Sequence, residues 1–262
     1  MSGSPSSADG GCGVALVTGA SRRIGRAIAL ELARMGYALA IHTRESHYDD
    51  AENLRGEIES TCGRAQVFTA ELADRSAVAR LIGKVSDKLG PVTVLVNNAS
   101  LFDPDSAGDF TGKLWDTHIA VNLEAPLALA RDMANALPEG MSGNVINLID
   151  QRVWRLNPNF FTYTLSKSAL WTATRTMAMA FAPRVRVNAI GPGPTLQNAR
   201  QDEADFAAQV AALPLQRGPA PDEIARAVRF LIETPSMTGQ MLALDGGQHL
   251  AWETPDIAGI PE

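Results

Sequence analysis

The chain has 262 residues, of which 45% are hydrophobic and 20% are charged, and its formal net charge at pH 7 is −6. This length and apolar content are enough for one large α/β core. The acidic balance argues against a nucleic-acid surface, which would need a basic stripe. No apolar run reaches the roughly eighteen residues of a membrane span, so none is expected.

The N-terminal residues 1–12 are rich in Ser, Gly and Pro and lack the apolar core of a secretion signal, which predicts a flexible tail. Cys12 and Cys62 are too few for a disulfide framework, and we expect a cytoplasmic protein with free thiols. The four histidines are scattered without the spacing of a metal site, so no metal is expected. They are His42, His47, His118 and His249.

Short apolar runs alternate with longer helical patterns along the chain. The predicted strands are Val14–Val17, Ala38–Ile41, Ala65–Phe68, Thr93–Val96, Asn144–Leu148, Val185–Ile190 and Met241–Leu244. The predicted helices are Ile24–Met35, Tyr48–Thr61, Ser76–Leu89, Lys113–Leu137 and Phe161–Ala182. Continuous apolar strands separated by helices indicate a parallel sheet covered on both faces. We therefore predict one α/β domain over residues 13–262, a Rossmann-type doubly wound sheet of about seven strands.

The segment 191–221 interrupts this alternation. It opens with Gly-Pro-Gly-Pro, has a short helical pattern near Asp205 to Ala212, and returns to Gly-Pro. An insertion after the sixth strand lies at the carboxyl edge of the sheet, where ligands bind. We interpret it as a lid over a substrate, with an irregular connection as the alternative. Residues 252–262 form a further C-terminal tail.

A glycine-rich turn joins the first predicted strand to the first helix. Gly19 and Gly25 would let the backbone approach a pyrophosphate at a helix N-terminus, which indicates a dinucleotide site. At the end of the second strand, Arg44, with Arg22 on the neighbouring loop, favours the 2′-phosphate of NADP over NAD. Glu45 opposes this assignment, because its charge would repel a phosphate if the side chain pointed inward.

Tyr163 and Lys167 lie one helical turn apart and therefore on one helix face. An ammonium group in this position would favour the phenolate and lower the phenol pKa from its usual value of about 10. The pair therefore predicts a proton donor that works near neutral pH.

Taken together, these motifs resemble the short-chain dehydrogenase/reductase family from about Gly13 to Gly247. The matching motifs are Thr18-Gly19 with Gly25, Asn97-Asn98-Ala99, Asn122, Tyr163 with Lys167, the run from Arg186 to Gly193, and Asp245-Gly246-Gly247. The resemblance implies that Asn122 fixes a proton-relay water and that Lys167 holds the nicotinamide ribose. The cofactor-binding residues that it implies are Gly19, Arg22, Arg23, Ile24, Gly25, Arg44, Ser46, Glu71, Leu72, Asn98, Ala99, Ser100, Tyr163, Lys167, Pro192 and Gly193.

Two departures from the general family pattern are informative. Arg23 stands where the pattern has its middle glycine, and Asp150 stands where it has a serine thirteen residues before the tyrosine. Both resemble the pteridine reductase branch, and bacterial dihydromonapterin reductases share the arginine. The resemblance implies catalysis by Asp150, Tyr163, Lys167 and Asn122. It implies substrate binding by Arg23, Ser100, Phe102, Asp150 and Tyr163, with Phe102 stacking on a flat heterocycle.

The sequence thus predicts an NADPH-dependent reductase of pteridine-like or folate-like substrates. The alternatives are a carbonyl or sugar oxidoreductase of the same family and a protein that binds NADPH without catalysis. The apolar helices Leu123–Leu137 and Ala169–Ala182 favour a homo-oligomer, and the resemblance implies a tetramer.

Overall fold

The computed structural model describes residues 12–61, 63–197 and 200–253. The predictions about the N-terminal tail before Cys12, about Cys62 and about the C-terminal tail beyond Glu253 fall outside these residues. In the described ranges, no helix is both long enough and apolar enough to cross a membrane.

Among the residues that the structure describes, a single sheet of seven parallel strands forms the centre of the domain, as predicted. Its strands are β1 (Val14–Val17), β2 (Ala38–Thr43), β3 (Ala65–Thr69), β4 (Val92–Asn97), β5 (Gly143–Leu148), β6 (Val185–Pro192) and β7 (Met241–Leu244). They lie in the order β3-β2-β1-β4-β5-β6-β7. Strands β1 to β3 are added in one direction across the sheet, and β4 to β7 are added in the other, so the order switches between β1 and β4. At such a switch point the carboxyl ends of the strands leave a crevice for a ligand.

Helices cover both faces of the sheet. They are α1 (Arg23–Arg34), α2 (Tyr48–Ser60), α3 (Arg75–Leu89), α4 (Gly112–Ile119), α5 (Ala125–Ala136), α6 (Phe161–Phe181), α7 (Glu203–Ala211) and α8 (Pro221–Glu233). One core cluster packs α1, α2 and α8 against the sheet, and a second packs α3, α5 and α6 against the other face. Strand residues such as Leu16, Ile41 and Leu95 are fully buried between these layers, which explains why the strands have no polar face.

The helix predicted over Lys113–Leu137 is divided in the structure. A π-helical turn, Ala120–Glu124, separates α4 from α5. One extra residue per turn rotates the side chains that follow, and such turns are frequent at functional sites. The buried Asn122 lies in the middle of this turn.

In its described residues, the predicted lid segment contains one helix, α7, and the preceding loop lies beside the carboxyl end of β6. Arg23 at the start of α1 reaches this loop. Its guanidinium donates hydrogen bonds to the carbonyls of Leu196 and Gln197, at 3.1 and 2.9 Å. The glycine-rich turn and the lid segment are therefore directly connected.

Candidate active site

The turn between β1 and α1 has the shape that a dinucleotide phosphate requires. Gly19 has a φ of +62°, a backbone conformation that favours glycine. A Cβ atom on Gly25 would lie 2.2 Å from the Gly19 carbonyl oxygen and 2.6 Å from Asn98 Nδ2. A side chain at Gly25 would therefore break the turn, and the N-terminus of α1 stays open to an anion.

The buried side chain of His42 holds this turn in place through a hydrogen bond to Gly19. Its Nδ1 accepts a hydrogen bond from the Gly19 N–H at 3.1 Å, so Nε2 carries the proton and donates to the Ala70 carbonyl at 3.1 Å. Burial lowers the pKa of His42 to about 4. The ring is therefore neutral at physiological pH and has a structural role.

Hydrogen bonds around Thr18 join the ends of β1 and β4. Its hydroxyl accepts from the backbone N–H groups of Asn98 and Ala99, at 2.9 and 3.0 Å. The side-chain amide of Asn98 donates to the Thr18 carbonyl at 2.8 Å. This network keeps the Asn97-Asn98-Ala99 motif against the glycine-rich turn.

A groove of about 480 Å³ begins at this turn and runs over the ends of β2 and β3. The predicted cofactor residues that line it are Gly19, Arg22, Arg23, Ile24, Gly25, Arg44, Glu71, Leu72, Asn98, Ala99 and Ser100. Ser46 does not line it. The predicted residues thus surround an elongated cavity beside a helix N-terminus, which fits a dinucleotide.

Basic groups lie at the β2 end of the groove. Arg22, Arg44 and His47 all line it, whereas Glu45 is exposed and does not. The position of Glu45 removes the main objection to a 2′-phosphate at this end of the groove. His47 was not predicted as a site residue, because a single histidine after a strand has no distinctive spacing.

A second cavity of about 260 Å³ adjoins the groove and holds the predicted catalytic residues. Tyr163 projects from the first turn of α6, and Asp150 follows β5. The phenol of Tyr163 donates a hydrogen bond to Asp150 Oδ2 at 2.9 Å, and Asp150 Oδ1 accepts from the Arg152 N–H at 2.8 Å. The predicted convergence of carboxyl and phenol is present. Pro192 and Gly193 line the same cavity.

Burial dominates the electrostatics of this pair. Desolvation raises the pKa of the Asp150 carboxyl, although the Arg152 N–H and guanidinium act in the opposite direction. Burial, and then the charge of Asp150, raise the pKa of Tyr163 well above 10. The predicted lowering of the phenol pKa by Lys167 is therefore wrong for this structure. The phenol keeps its proton and holds it against the carboxylate.

Lys167 lies in the same cavity, and its side chain is buried. Its Nζ donates to the Leu148 carbonyl at 2.7 Å and lies 5.8 Å from the centre of the Tyr163 ring. Burial lowers the pKa of Lys167 to about 8, while the charge of Asp150 opposes this shift. The ammonium is thus mostly charged at pH 7 and positioned by the end of β5.

Asn122 is fully buried, and protein groups occupy all four hydrogen-bonding positions of its side chain. Nδ2 donates to the Leu101 carbonyl and Ser166 Oγ, at 2.9 and 3.1 Å. Oδ1 accepts from the Leu101 N–H and Ser100 Oγ, at 2.8 and 3.2 Å. The side chain therefore positions Ser100 and Leu101 at the cavity, and the binding of a relay water by Asn122 stays a prediction.

Phe102 lines the catalytic cavity, and its ring already stacks on another aromatic side chain. Its ring stacks on Phe160 with centroids 4.1 Å apart and an interplanar angle of 10°, and it meets the edge of Tyr163 at 4.7 Å. Phe160 was missed by the sequence analysis. It precedes α6 with a φ of +58°, which no local sequence pattern indicates.

A second network, also unpredicted, fixes the start of α6. The backbone N–H of Thr162 donates to the Asp105 carboxylate at 3.1 Å, and the Thr162 hydroxyl donates to the same carboxylate. His118 Nδ1 lies 2.6 Å from this hydroxyl. Asp105 thus caps, from a distant segment, the helix that carries Tyr163. Only tertiary structure reveals such a cap.

The chain is similar to known reductases over most of its length. A family model described as enoyl-(acyl carrier protein) reductase matches residues 19–249. The crystal structure of FolM alternative dihydrofolate reductase 1 from Brucella suis, in complex with NADP, is 55% identical with a TM-score of 0.91. That match covers 94% of this chain and 98% of the other.

Two curated relatives extend this comparison. A short-chain type dehydrogenase/reductase from Picea abies is 31% identical over 248 residues, covering 90% of this chain and 92% of the relative. A 3-oxoacyl-[acyl-carrier-protein] reductase from Synechocystis is 32% identical over 238 residues, covering 89% and 96%. With the parallel sheet, the glycine-rich turn and the Tyr163–Lys167 pair, these matches establish that the chain belongs to the short-chain dehydrogenase/reductase family.

Proposed function

We propose that this enzyme uses NADPH to reduce a C=N bond of dihydropterin-type or dihydrofolate-type substrates to the tetrahydro level. The observation that carries the proposal is the hydrogen bond between Tyr163 and a buried aspartate at the position where the family pattern has serine. The similarity to FolM alternative dihydrofolate reductase 1 supports the same substrate class.

NADPH fits the groove beside the glycine-rich turn, where Arg22, Arg44 and His47 would meet the 2′-phosphate and Lys167 the nicotinamide ribose. When bound, it supplies a hydride to the carbon of the C=N bond. The nitrogen then needs one proton to complete the reduction.

Tyr163 and Asp150 can deliver that proton. The phenol is protonated at neutral pH, and the raised pKa of Asp150 lets the carboxyl take up a replacement proton more readily than an exposed aspartate would. An aspartate can also accept a hydrogen bond from an amino group of the heterocycle. A ketone oxygen, by contrast, needs only one neutral hydroxyl donor, which the Tyr163 phenol provides without a carboxylate beside it.

A substrate panel tests the proposal. NADPH oxidation is measured with dihydrobiopterin, dihydromonapterin and dihydrofolate, beside simple ketones and a 3-oxoacyl thioester, and NADH replaces NADPH in parallel. We expect turnover of at least one pterin substrate and a preference for NADPH. Turnover of the ketone or thioester without any pterin turnover would instead identify a carbonyl reductase. A preference for NADH would refute the cofactor assignment.

A further inference from the structure

Arg152 lies at the mouth of the catalytic cavity, two residues after Asp150. It lines the cavity, and its guanidinium carbon lies 5.7 Å from the centre of the Phe102 ring and 5.1 Å from that of Phe160. The guanidinium is therefore held beside the aromatic pair that borders the cavity.

The charge of Arg152 is not neutralised by an ion pair. Its Nη1 donates to two neutral oxygens, Asn157 Oδ1 at 2.9 Å and the Asn159 carbonyl at 3.4 Å. Within the part of the chain that the structure describes, no carboxylate lies within 4.0 Å of the guanidinium nitrogens. Its buried Nε has no hydrogen-bond acceptor. Arg152 therefore brings to the cavity a positive charge that no carboxylate of the described residues pairs with at this distance.

A second guanidinium approaches the same aromatic pair. Arg200, at the end of the lid loop, lies 5.3 Å from the Phe102 centroid and 5.7 Å from that of Phe160. It donates to the Phe102 carbonyl at 2.7 Å and lies 3.6 Å from Asp103 Oδ1. Two guanidinium groups, of Arg152 and Arg200, thus approach the same aromatic pair.

We propose that Arg152, supported by the charge of Arg200, binds a carboxylate on the substrate's side chain. This inference rests on the proposed function, and it narrows the range of pterin substrates that the enzyme prefers. Among reducible pterins, the enzyme prefers those whose side chain ends in a carboxylate, as the glutamate of dihydrofolate does, over those with a neutral side chain, such as dihydrobiopterin. Guanidinium and carboxylate match in geometry as well as charge, which makes arginine the fitting residue for this task.

Arg152 could instead act only on the catalytic pair, because its charge also influences the pKa values of Asp150 and Tyr163. The two roles differ in what they predict. An effect through the catalytic pair changes the turnover of all pterins by the same factor. An effect through a side-chain carboxylate changes the ratio between acidic and neutral substrates.

The test compares kcat/KM for dihydrofolate and dihydrobiopterin in the wild type, Arg152→Gln, Arg152→Lys and Arg155→Gln. Arg155 is an exposed arginine of the same loop that does not line the cavity, so its variant is the matched control for charge. We expect Arg152→Gln to lower the dihydrofolate-to-dihydrobiopterin ratio about 10- to 100-fold, mainly through the KM of dihydrofolate. Arg152→Lys should retain part of the preference, and Arg155→Gln should retain all of it.

An equal effect of Arg152→Gln on both substrates, or no effect on either, would overturn the inference while leaving the proposed function intact. Failure of the wild type to reduce either pterin would instead refute the proposed function itself, and this inference with it. Salt provides a second readout, because screening should raise the KM of dihydrofolate more than that of dihydrobiopterin.

Discussion

Asp150 and Tyr163 are the pair that we propose delivers the proton, and burial shifts the pKa of each group. Their hydrogen bond is 2.9 Å long, and desolvation raises the pKa of both groups. A phenol that keeps its proton against a carboxylate is a proton donor with a nearby acceptor. Asp150 is therefore more than a substitute for the serine of the family pattern, since it can both orient the phenol and exchange protons.

The first prediction concerns the ability of the Asp150 carboxyl to take up and release a proton. Asp150→Asn preserves the size of the side chain but removes the carboxyl that takes up a proton. We expect kcat for a pterin substrate to fall about 100-fold or more, the usual size of a general acid–base contribution. The Kd for NADPH, measured by fluorescence titration, should change less than about twofold. Tyr163→Phe is the companion variant with the same expected pattern, and near wild-type turnover in either one would contradict the account.

The second prediction concerns the buried ammonium of Lys167, whose pKa burial lowers to about 8. Between pH 8 and about 10.5, the unfolded chain holds this proton and the folded protein does not. Stability that depends on this group therefore rises with pH in that window, by up to about 1.4 kcal/mol per pH unit. In urea titrations, the free energy of unfolding of the wild type should therefore rise between pH 8 and about 10.5 relative to that of Lys167→Met. A difference that stays constant with pH would show that the pKa is not lowered.

At this scale the sequence predicted that Asp150, Tyr163 and Lys167 would come together, as they do in one cavity, but not the directions of all their pKa shifts. The four-residue spacing of Tyr163 and Lys167 correctly places them in one cavity. It contains no information on depth of burial or on the Leu148 carbonyl that accepts from Lys167. For the same reason, Phe160 was missed as a site residue, because its role comes from contacts between segments.

The elements around the site position its side chains, and the π-helical turn is the clearest case. It places Asn122 where its amide satisfies both backbone groups of Leu101, next to Ser100 and Phe102. The sequence predicted one uninterrupted helix here because a π turn does not alter the overall apolar pattern. Asn122 is best described as a positioning residue of the cavity wall.

A third prediction follows from that role. Asn122→Leu leaves the partly buried Leu101 N–H and C=O without their side-chain partners, which should lower the free energy of unfolding by about 1–3 kcal/mol. Urea denaturation measures this loss. Asn53→Leu, at an exposed position of α2, is the control and should change stability by less than about 0.5 kcal/mol. Equal effects of the two substitutions would refute the supporting role.

The fourth prediction tests the glycine-rich turn against an ordinary helical glycine. Gly25→Ala would place Cβ 2.2 Å from the Gly19 carbonyl oxygen, whereas a Cβ on Gly83 in α3 meets nothing within 4 Å. We expect Gly25→Ala to weaken NADPH binding at least about tenfold by displacing the turn. Gly83→Ala should leave binding unchanged and raise stability by about 0.4–1 kcal/mol. Isothermal titration calorimetry decides the first point, and unchanged affinity in Gly25→Ala would contradict it.

On the scale of the whole molecule, the fold was the most predictable property. Seven apolar strands without a polar face can be buried only in a sheet covered on both sides, and the observed sheet has this form. The strand order and the position of the site at the switch point follow from the same topology. For the predicted lid, the sequence indicated only which residues form the insertion. The hydrogen bonds between this segment and Arg23 could not be predicted, because they join parts of the chain that are distant in sequence.

The predicted tetramer remains an expectation, and one surface supports self-association. A groove of about 630 Å³ on α3, α5 and α6 is lined largely by apolar side chains, including Leu127, Ala128 and Phe181. We expect light scattering to give a mass near four times the 27.9 kDa of the chain. Ala128→Arg should shift the protein to smaller species by placing a charge in this groove. A monomeric wild type would contradict the expectation.

The central claim is that a hydride passes from NADPH to the carbon of a pterin C=N bond while the Tyr163–Asp150 pair supplies the proton. Transfer of deuterium from NADPH labelled at C4 tests it most directly. With dihydrofolate and dihydrobiopterin as substrates, we expect mass spectrometry to find one deuterium in each molecule of tetrahydro product, and Tyr163→Phe to form this labelled product about 100-fold more slowly. Label that appears only in the alcohol formed from an added ketone, with the pterins unlabelled and unreduced, would contradict the account.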